Sequence, residues 1–166
     1  SDVCSSDLRT KTMGQDSTHN RSYFLNAGEE EKSIFLSTLC TLANADGKIK
    51  DSEVRFIESL AAEMQTEVLP QFFKYSAELC IRNAAKIRSR RLALELIKDM
   101  LSLAYTDDEF SDSEGQFICS IGDALNIEPQ KIGQISSWVI DRIIWLEQEA
   151  LIFEETANRG GEHGKN

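Results

Sequence analysis

Apolar residues recur along most of this chain at spacings of three and four residues, and this spacing constrains the fold more than any other feature. Two clear runs are Ile34-Phe35-Leu39-Leu42 and Val54-Ile57-Leu60-Met64. The spacing places apolar side chains on one face of an α-helix. Runs of β-branched residues that alternate with polar ones are missing between residues 22 and 156, and the whole chain has only 2 prolines. We therefore predict an all-α, compact helical domain of about six or seven helices.

A segment of sixteen residues occurs twice in the chain. Residues 42–57 align with residues 103–118 without a gap, and eight of the sixteen positions are identical. Each copy starts at the end of a predicted helix, crosses an acidic turn with one apolar residue, Ile49 or Phe110, and enters the next helix. We expect the apolar residue to anchor the turn in the core. The duplication predicts two pseudo-repeated helix–acidic turn–helix units packed on each other.

The two turns resemble those of a known family. The first copy reads Asn44-Ala45-Asp46-Gly47-Lys48-Ile49-Lys50-Asp51-Ser52-Glu53, and the second reads Thr106-Asp107-Asp108-Glu109-Phe110-Ser111-Asp112-Ser113-Glu114. With this repeated pattern of A-D-G, a hydrophobic residue, a spacer and a glutamate, the chain resembles the tellurite-resistance TerB-like helical family. The likeness covers roughly residues 30–138.

This resemblance implies an all-α fold with pseudo-twofold halves, no established catalysis, and acidic turn residues that bind a divalent metal. It also implies a role in stress response or metal (tellurite) resistance. The chain departs from the family pattern at three places. Asp108 replaces the second glycine, Lys50 stands where a capping hydroxyl is usual, and the helix after Trp138 continues beyond the common core.

The carboxylates of the two turns have a structural interpretation as helix caps. Ser111 and Glu114 have the spacing of a capping box, in which the hydroxyl and the carboxylate each accept a backbone N–H. Asp51 or Ser52 is expected to cap the equivalent helix of the first copy. Capping does not account for Asp46 and Asp107, because each follows the end of a predicted helix, where the helix dipole disfavours an acid.

The second interpretation is a divalent-cation site. Residues 107–114 hold five acids and no base, whereas residues 46–53 hold three acids and two lysines. The second turn is therefore the better centre for Ca²⁺, Mg²⁺ or Mn²⁺, which prefer oxygen ligands. The predicted ligands are Asp46, Glu53, Asp107, Asp108, Glu109 and Glu114. Only seven positions separate Asp46 from Glu53, which excludes the longer loop of an EF-hand.

Composition argues against several classes of function. The formal net charge of −10 disfavours broad binding to the phosphate backbone of nucleic acids. His19 and His163 are the only histidines, and both lie in polar end segments, so the core offers no histidine for a catalytic triad or a zinc site. Since no nucleophile or substrate pocket can be named either, we predict that the protein is not an enzyme.

Cysteine usage and hydropathy bear on the compartment. Cys40, Cys80 and Cys119 stand among apolar neighbours and form no C-x-x-C pair, which is typical of buried, reduced thiols. No run approaches the roughly 18 apolar residues of a membrane-spanning helix. We expect a cytoplasmic protein without a membrane span, and peripheral contact with a membrane stays open.

Two further features are candidates for binding a protein partner. One is a basic segment formed by Arg82, Lys86, Arg88, Arg90 and Arg91. It suits an acidic partner, a phosphate or an anionic lipid, but it is also what an exposed linker and a first helical turn contain. The other is the last helix, where Trp138 and Trp145 belong to a broad apolar distribution. That distribution indicates either burial in the core or a surface for a partner or homodimer.

The two ends of the chain lack apolar periodicity. We expect residues 1–21 to be a disordered or non-native segment, residues 22–157 to form the helical domain with its extended last helix, and residues 158–166 to be a flexible tail. For the domain we predict a module that binds a divalent cation, a protein partner or both. The alternative is a structural adaptor or homo-oligomerising protein that uses the last helix and the basic segment without metal.

Overall fold

The structure, a computed structural model, describes residues 22–106 and 110–159. Within these ranges all regular secondary structure is helical. The α-helices are α1 (Ser22–Asn26), α2 (Glu29–Ala43), α3 (Asp51–Glu63), α4 (Ala77–Ala84), α5 (Arg90–Tyr105), α6 (Asp112–Ala124) and α7 (Pro129–Arg159), and a 3₁₀ helix spans Pro70–Lys74. The predicted all-α class and number of helices are confirmed for the described residues.

Residues with special backbone or side-chain chemistry fix where several helices begin and end. The Oγ atoms of Ser76 and Ser89 each accept a backbone N–H three residues later at 3.2 Å, at the starts of α4 and α5. Pro70 begins the 3₁₀ helix. Proline is favourable there because the first N–H of a helix has no acceptor within the helix. Gln65 and Asn126 have φ angles of 56° and 55°, and this left-handed conformation ends α3 and α6.

Helices α2 and α5 form the centre of the fold. Helix α2 packs against α3, the 3₁₀ helix, α4 and α5, and α5 packs in addition against α1, α6 and α7. The two central helices contribute fully buried side chains to one core cluster, among them Phe35, Leu36, Leu39, Leu96, Ile97 and Met100. Burial of these side chains is the main favourable contribution to folding.

The duplicated segments both lie where one helix ends and the next begins. The first runs from α2 into α3, and the second runs from α5 into α6. Their surroundings differ, because α3 packs mainly against α2, whereas α6 packs against α4, α5 and α7. The pseudo-repeat of two whole helical units therefore stays a prediction.

The prediction that Ile49 and Phe110 anchor the two turns in the core is wrong, since these side chains are 39% and 41% exposed. The ring of Phe110 stacks on that of Tyr105, with the ring centroids 5.0 Å apart. It also lies over Gly115, where an added Cβ would approach the ring to 3.4 Å. Phe110 therefore packs at the surface, against the helices on either side of its own turn.

Burial of the cysteines agrees with the sequence prediction at two positions of three. Cys40 and Cys80 are buried, and burial raises the pKa of Cys40 to about 12 and also raises the pKa of Cys80. Both are therefore protonated thiols near neutral pH. The prediction for Cys119 is wrong, because this residue is exposed, on a different side of α6 from the buried Phe117 and Ile121.

Candidate functional site

In the first acidic turn, Asp46 bonds to the backbone of its own turn. Its carboxylate accepts the backbone N–H of Lys48 at 2.9 Å, and Gly47 between them has a φ of 76°. This arrangement is an Asx turn, in which the aspartate side chain closes a turn that glycine makes unstrained. Asp46 therefore stabilises the turn and does not cap a helix. The Asp-Gly pair is the sequence signal for such a turn.

Glu53, the second predicted ligand in this turn, holds the start of α3. It is buried, and its Oε2 accepts the backbone N–H of Lys50 at 2.9 Å. The N-cap residue is Lys50, so the prediction that Asp51 or Ser52 caps this helix is wrong. A lysine side chain has no acceptor, and the carboxylate of Glu53 therefore supplies the half of a capping box that this sequence can form.

At the start of α6 the predicted capping box is confirmed. The Oγ atom of Ser111 accepts the backbone N–H of Glu114 at 3.3 Å, and Oε2 of Glu114 accepts the backbone N–H of Ser111 at 2.8 Å. The three acids that precede it, Asp107, Asp108 and Glu109, lie outside the described residues. The described part of this turn is thus its capping half.

Three of the six predicted ligands of the divalent-cation site, Asp46, Glu53 and Glu114, lie in the described part of the chain. Among the described residues, no group of three or more His, Cys, Asp or Glu side chains lies close enough together to hold a metal. Asp46, Glu53 and Glu114 therefore do not form a ligand set by themselves, and each of them bonds to a backbone N–H instead. A site for Ca²⁺, Mg²⁺ or Mn²⁺ centred on residues 107–109 stays a prediction.

The basic segment is largely paired within the chain. Three of its side chains form ion pairs: Lys86 with Glu30 at 3.2 Å, Arg90 with Glu128 at 2.5 Å, and Arg91 with Glu95 at 3.0 Å. The backbone N–H of Arg88 donates to the carboxylate of Glu31 at 3.2 Å, while Arg82 is exposed near the end of α4. The contacts of Lys86 and Arg88 join the loop between α4 and α5 to the start of α2, and the Arg90–Glu128 pair joins the start of α5 to that of α7. They also reduce the positive charge that an acidic partner would meet.

A cluster of charged side chains on α5 was missed by the sequence interpretation. Glu95 and Asp99 are only 6% and 4% exposed. The ammonium group of Lys98 forms ion pairs with both, and it lies 3.5 Å from the carboxylate of Asp99. The signal in the sequence is positional, because Glu95 and Asp99 occupy the same helical stripe as Leu92 and Met100.

Asp99 is the least satisfied member of this cluster. Its Oδ2 atom makes no hydrogen bond within the described part of the chain. Burial raises its pKa to about 7, an effect that Lys98 opposes and that Glu95 and Glu63 reinforce. Tyr23 on α1 is hydrogen-bonded to Glu95, and burial together with the charge of Glu95 raises the pKa of Tyr23. The cluster thus fastens α1 to α5.

A groove of about 450 Å³ lies between α5 and α7, beside this cluster. Its lining combines apolar and charged side chains, namely Arg91, Leu94, Glu95, Lys98, Lys131, Gln134, Ile135 and Trp138. The groove brings together two of the predicted partner-binding residues, Arg91 and Trp138, whereas Trp145 lies about two helical turns farther along α7. Inside the groove the single carboxylate of Glu95 pairs with both Arg91 and Lys98.

The far end of α7 has a different character from the rest of the molecule. We call residues 144–154 the distal segment, and the helices α1–α6 together with α7 up to Ile143 the body. Six large apolar side chains of the distal segment are 42–66% exposed: Ile144, Trp145, Leu146, Leu151, Ile152 and Phe153. Even with this apolar content, none of the described helices is long and apolar enough to cross a membrane.

The distal segment continues the stripe by which α7 packs onto the body. Val139 is 2% exposed, and Ile143 packs against the core. Leu146, Ala150 and Phe153 follow at spacings of three, four and three residues, so they extend the same face of the helix. This face has neighbours in the body up to Ile143 and is exposed beyond it.

Comparison of the chain with protein-family models, with curated protein sequences and with solved structures gives no match. The likeness to the TerB-like family thus rests on the two turn motifs alone. Its implied metal-binding and resistance functions stay predictions.

Proposed function

We propose that this chain is a protein-interaction module whose distal segment binds a helix of another protein. Six large apolar side chains within eleven residues are exposed there, and this observation carries the proposal. Scattered exposed apolar residues are normal on a protein surface, whereas a contiguous group of this size marks an interaction surface.

The shape of the distal segment favours a helical partner. Its apolar residues form two blocks, 144–146 and 150–153, which are separated by the polar residues 147–149. In a helix, Leu146, Ala150 and Phe153 of these blocks share the face that continues from Ile143, while the other apolar residues widen the apolar surface beside it. A partner helix that lies along this face buries side chains from both blocks. Each large side chain that becomes buried contributes roughly 1.5–3 kcal/mol, part of which offsets the entropy lost on association.

The basic segment is the weaker candidate for the same role. Three of its five cationic side chains form ion pairs within the chain, and a partner would have to compete with those pairs. The six large apolar side chains of the distal segment are instead 42–66% exposed.

A labelled peptide tests the proposal. The probe is a fluorescein-labelled peptide of 21 residues with Ile at heptad position a, Leu at d and Gln at e and g, and fluorescence anisotropy measures its binding. We expect the triple variant Leu146→Gln, Ala150→Gln, Phe153→Gln, which changes the stripe that continues from Ile143, to bind the probe at least tenfold more weakly than the wild type does. Its melting temperature should stay unchanged, because these side chains are exposed.

The matched control changes three exposed apolar residues outside α7 in the same way, Leu25→Gln, Ile49→Gln and Leu69→Gln. We expect this control to bind the probe as the wild type does. If the wild type does not bind the probe, or if the control loses as much affinity as the distal variant, the proposal is wrong.

A further inference from the structure

We infer that the helix bound by the distal segment is basic, an inference that rests on the proposed function and names the charge of the partner. The polar side chains beside the apolar face of α7 are mostly acidic. Between residues 141 and 154 there are four acids and one base, Arg142. Glu147, Glu149 and Glu154 are all exposed.

The positions of these acids relative to the apolar stripe matter more than their number. Val139, Ile143, Leu146, Ala150 and Phe153 alternate at spacings of four and three residues, as the a and d positions of a coiled coil do. On this register Glu147 and Glu154 occupy e positions, and Arg142 and Glu149 occupy g positions. Since e and g residues face the flanks of the partner helix, a bound helix meets three glutamates and one arginine.

A second copy of this chain is a poor occupant for this reason. In a parallel pair, Glu149 of each copy faces Glu154 of the other, and in an antiparallel pair centred on the segment Glu147 faces its own counterpart. The net charge of −10 on each chain adds to this repulsion. An anionic membrane surface is repelled by the same glutamates. A helix with Lys or Arg beside its apolar stripe complements both the apolar face of the distal segment and the glutamates that flank it.

Two charged peptides test this inference. Both have the Ile and Leu positions of the neutral probe, and they carry either Lys or Glu at every e and g position. We expect the Lys peptide to bind the wild-type chain at least tenfold more tightly than the Glu peptide, because it gains three attractive contacts with glutamates and only one repulsive contact with Arg142, whereas the Glu peptide has the reverse. The difference should shrink as the salt concentration rises from about 50 to about 500 mM.

Charge reversal provides the sharper arm of the experiment. The variant Glu147→Lys, Glu149→Lys, Glu154→Lys should prefer the Glu peptide. The matched control, Glu58→Lys, Glu67→Lys, Glu78→Lys, makes the same change in net charge at exposed positions outside α7 and should keep the preference for Lys.

The possible results separate the inference from the proposed function. If the neutral peptide binds while the Lys and Glu peptides bind equally well, the partner is not selected by charge and only the inference is overturned. The inference also fails if the control loses the preference as fully as the distal variant does, or if light scattering shows a stable dimer that Leu146→Gln, Ala150→Gln, Phe153→Gln dissociates. If none of the three peptides binds, the proposed function itself fails.

Discussion

The body and the distal segment depart from simple hydrophobic burial in opposite directions. In the body, Glu95 and Asp99 are buried on the inward face of α5. In the distal segment, apolar side chains such as Trp145 and Phe153 are exposed. Both helices nevertheless show the same spacing of three and four residues. The spacing of a stripe therefore identifies one face of a helix, while the neighbouring elements decide whether that face is buried.

Two positions of one helical stripe give the most direct test of this contrast. We expect Val139→Asp to lower the free energy of unfolding by roughly 3 kcal/mol or more, because it places a carboxylate in the core. Phe153→Asp should change that free energy by less than about 0.5 kcal/mol, because its site is exposed. Urea denaturation followed by circular dichroism measures both. A large loss for Phe153→Asp would show that the distal segment is packed against the body.

The buried acid of the body should make stability depend on pH. Folded Asp99 keeps its proton up to about pH 7, whereas an unfolded aspartate loses it near pH 4. Ionisation therefore disfavours the folded state, and the free energy of unfolding should fall as the pH rises from about 4 to 7. We expect Asp99→Asn to remove this fall and to exceed the wild type by roughly 4 kcal/mol at pH 8, the free energy of a difference of about three pKa units.

Denaturation at a series of pH values between 4 and 8 measures this difference. Glu149→Gln is the matched control, since it neutralises an exposed acid of the distal segment and should follow the wild-type profile. Parallel profiles for the wild type and Asp99→Asn would mean that Asp99 is ionised throughout this range in the folded chain.

Acidic residues of the body and of the distal segment should also differ in how much they contribute to the free energy of unfolding. Glu114 accepts a backbone N–H at the start of α6, whereas Glu154 lies exposed in the distal segment. We expect Glu114→Ala to lower the free energy of unfolding by about 1 kcal/mol and Glu154→Ala to leave it unchanged within error. Thermal denaturation of the two single variants is the measurement, and equal losses would contradict a capping role for Glu114.

The smallest expected effect concerns the acids for which a metal site is predicted. At a concentration of Ca²⁺, Mg²⁺ or Mn²⁺ equal to its Kd, binding to the folded chain adds about 0.4 kcal/mol of stability. We expect such a rise in the wild type and none in the variant Asp107→Asn, Asp108→Asn, Glu109→Gln. Calorimetric titration and melting curves test this, and an identical response of both chains would count against a site at these residues.

Features that depend on local chemistry could be predicted from the sequence. Spacing predicted the helices, and the Ser111–Glu114 pair predicted a capping box, because these interactions span only three or four residues. The cap of α3 was misplaced by one or two residues, since Lys50 offers no signal for an N-cap. The turn role of Asp46 was missed because its bond to Lys48 depends on the backbone conformation of Gly47 between them. The sequence interpretation considered helix caps and not turns at this position.

Features that depend on distant neighbours could not be predicted. Burial of Glu95 and Asp99 requires knowing that α1 and α7 pack against α5. Exposure of Phe110 requires knowing that its ring stacks on Tyr105 at the surface. For Trp145 and its neighbours, the sequence allowed both burial and exposure. Only the end of the body near Ile143 decides between them.

The length of α7 beyond the body has a mechanical consequence. Sixteen residues follow Ile143 in this helix, and at 1.5 Å per residue they form a lever arm of roughly 24 Å. A tilt of about 10° at the base of the arm would move its tip by about 4 Å. Any change in the packing between α5 and α7 would therefore be magnified at the tip. A protein held there would sense small rearrangements of a core that it never touches.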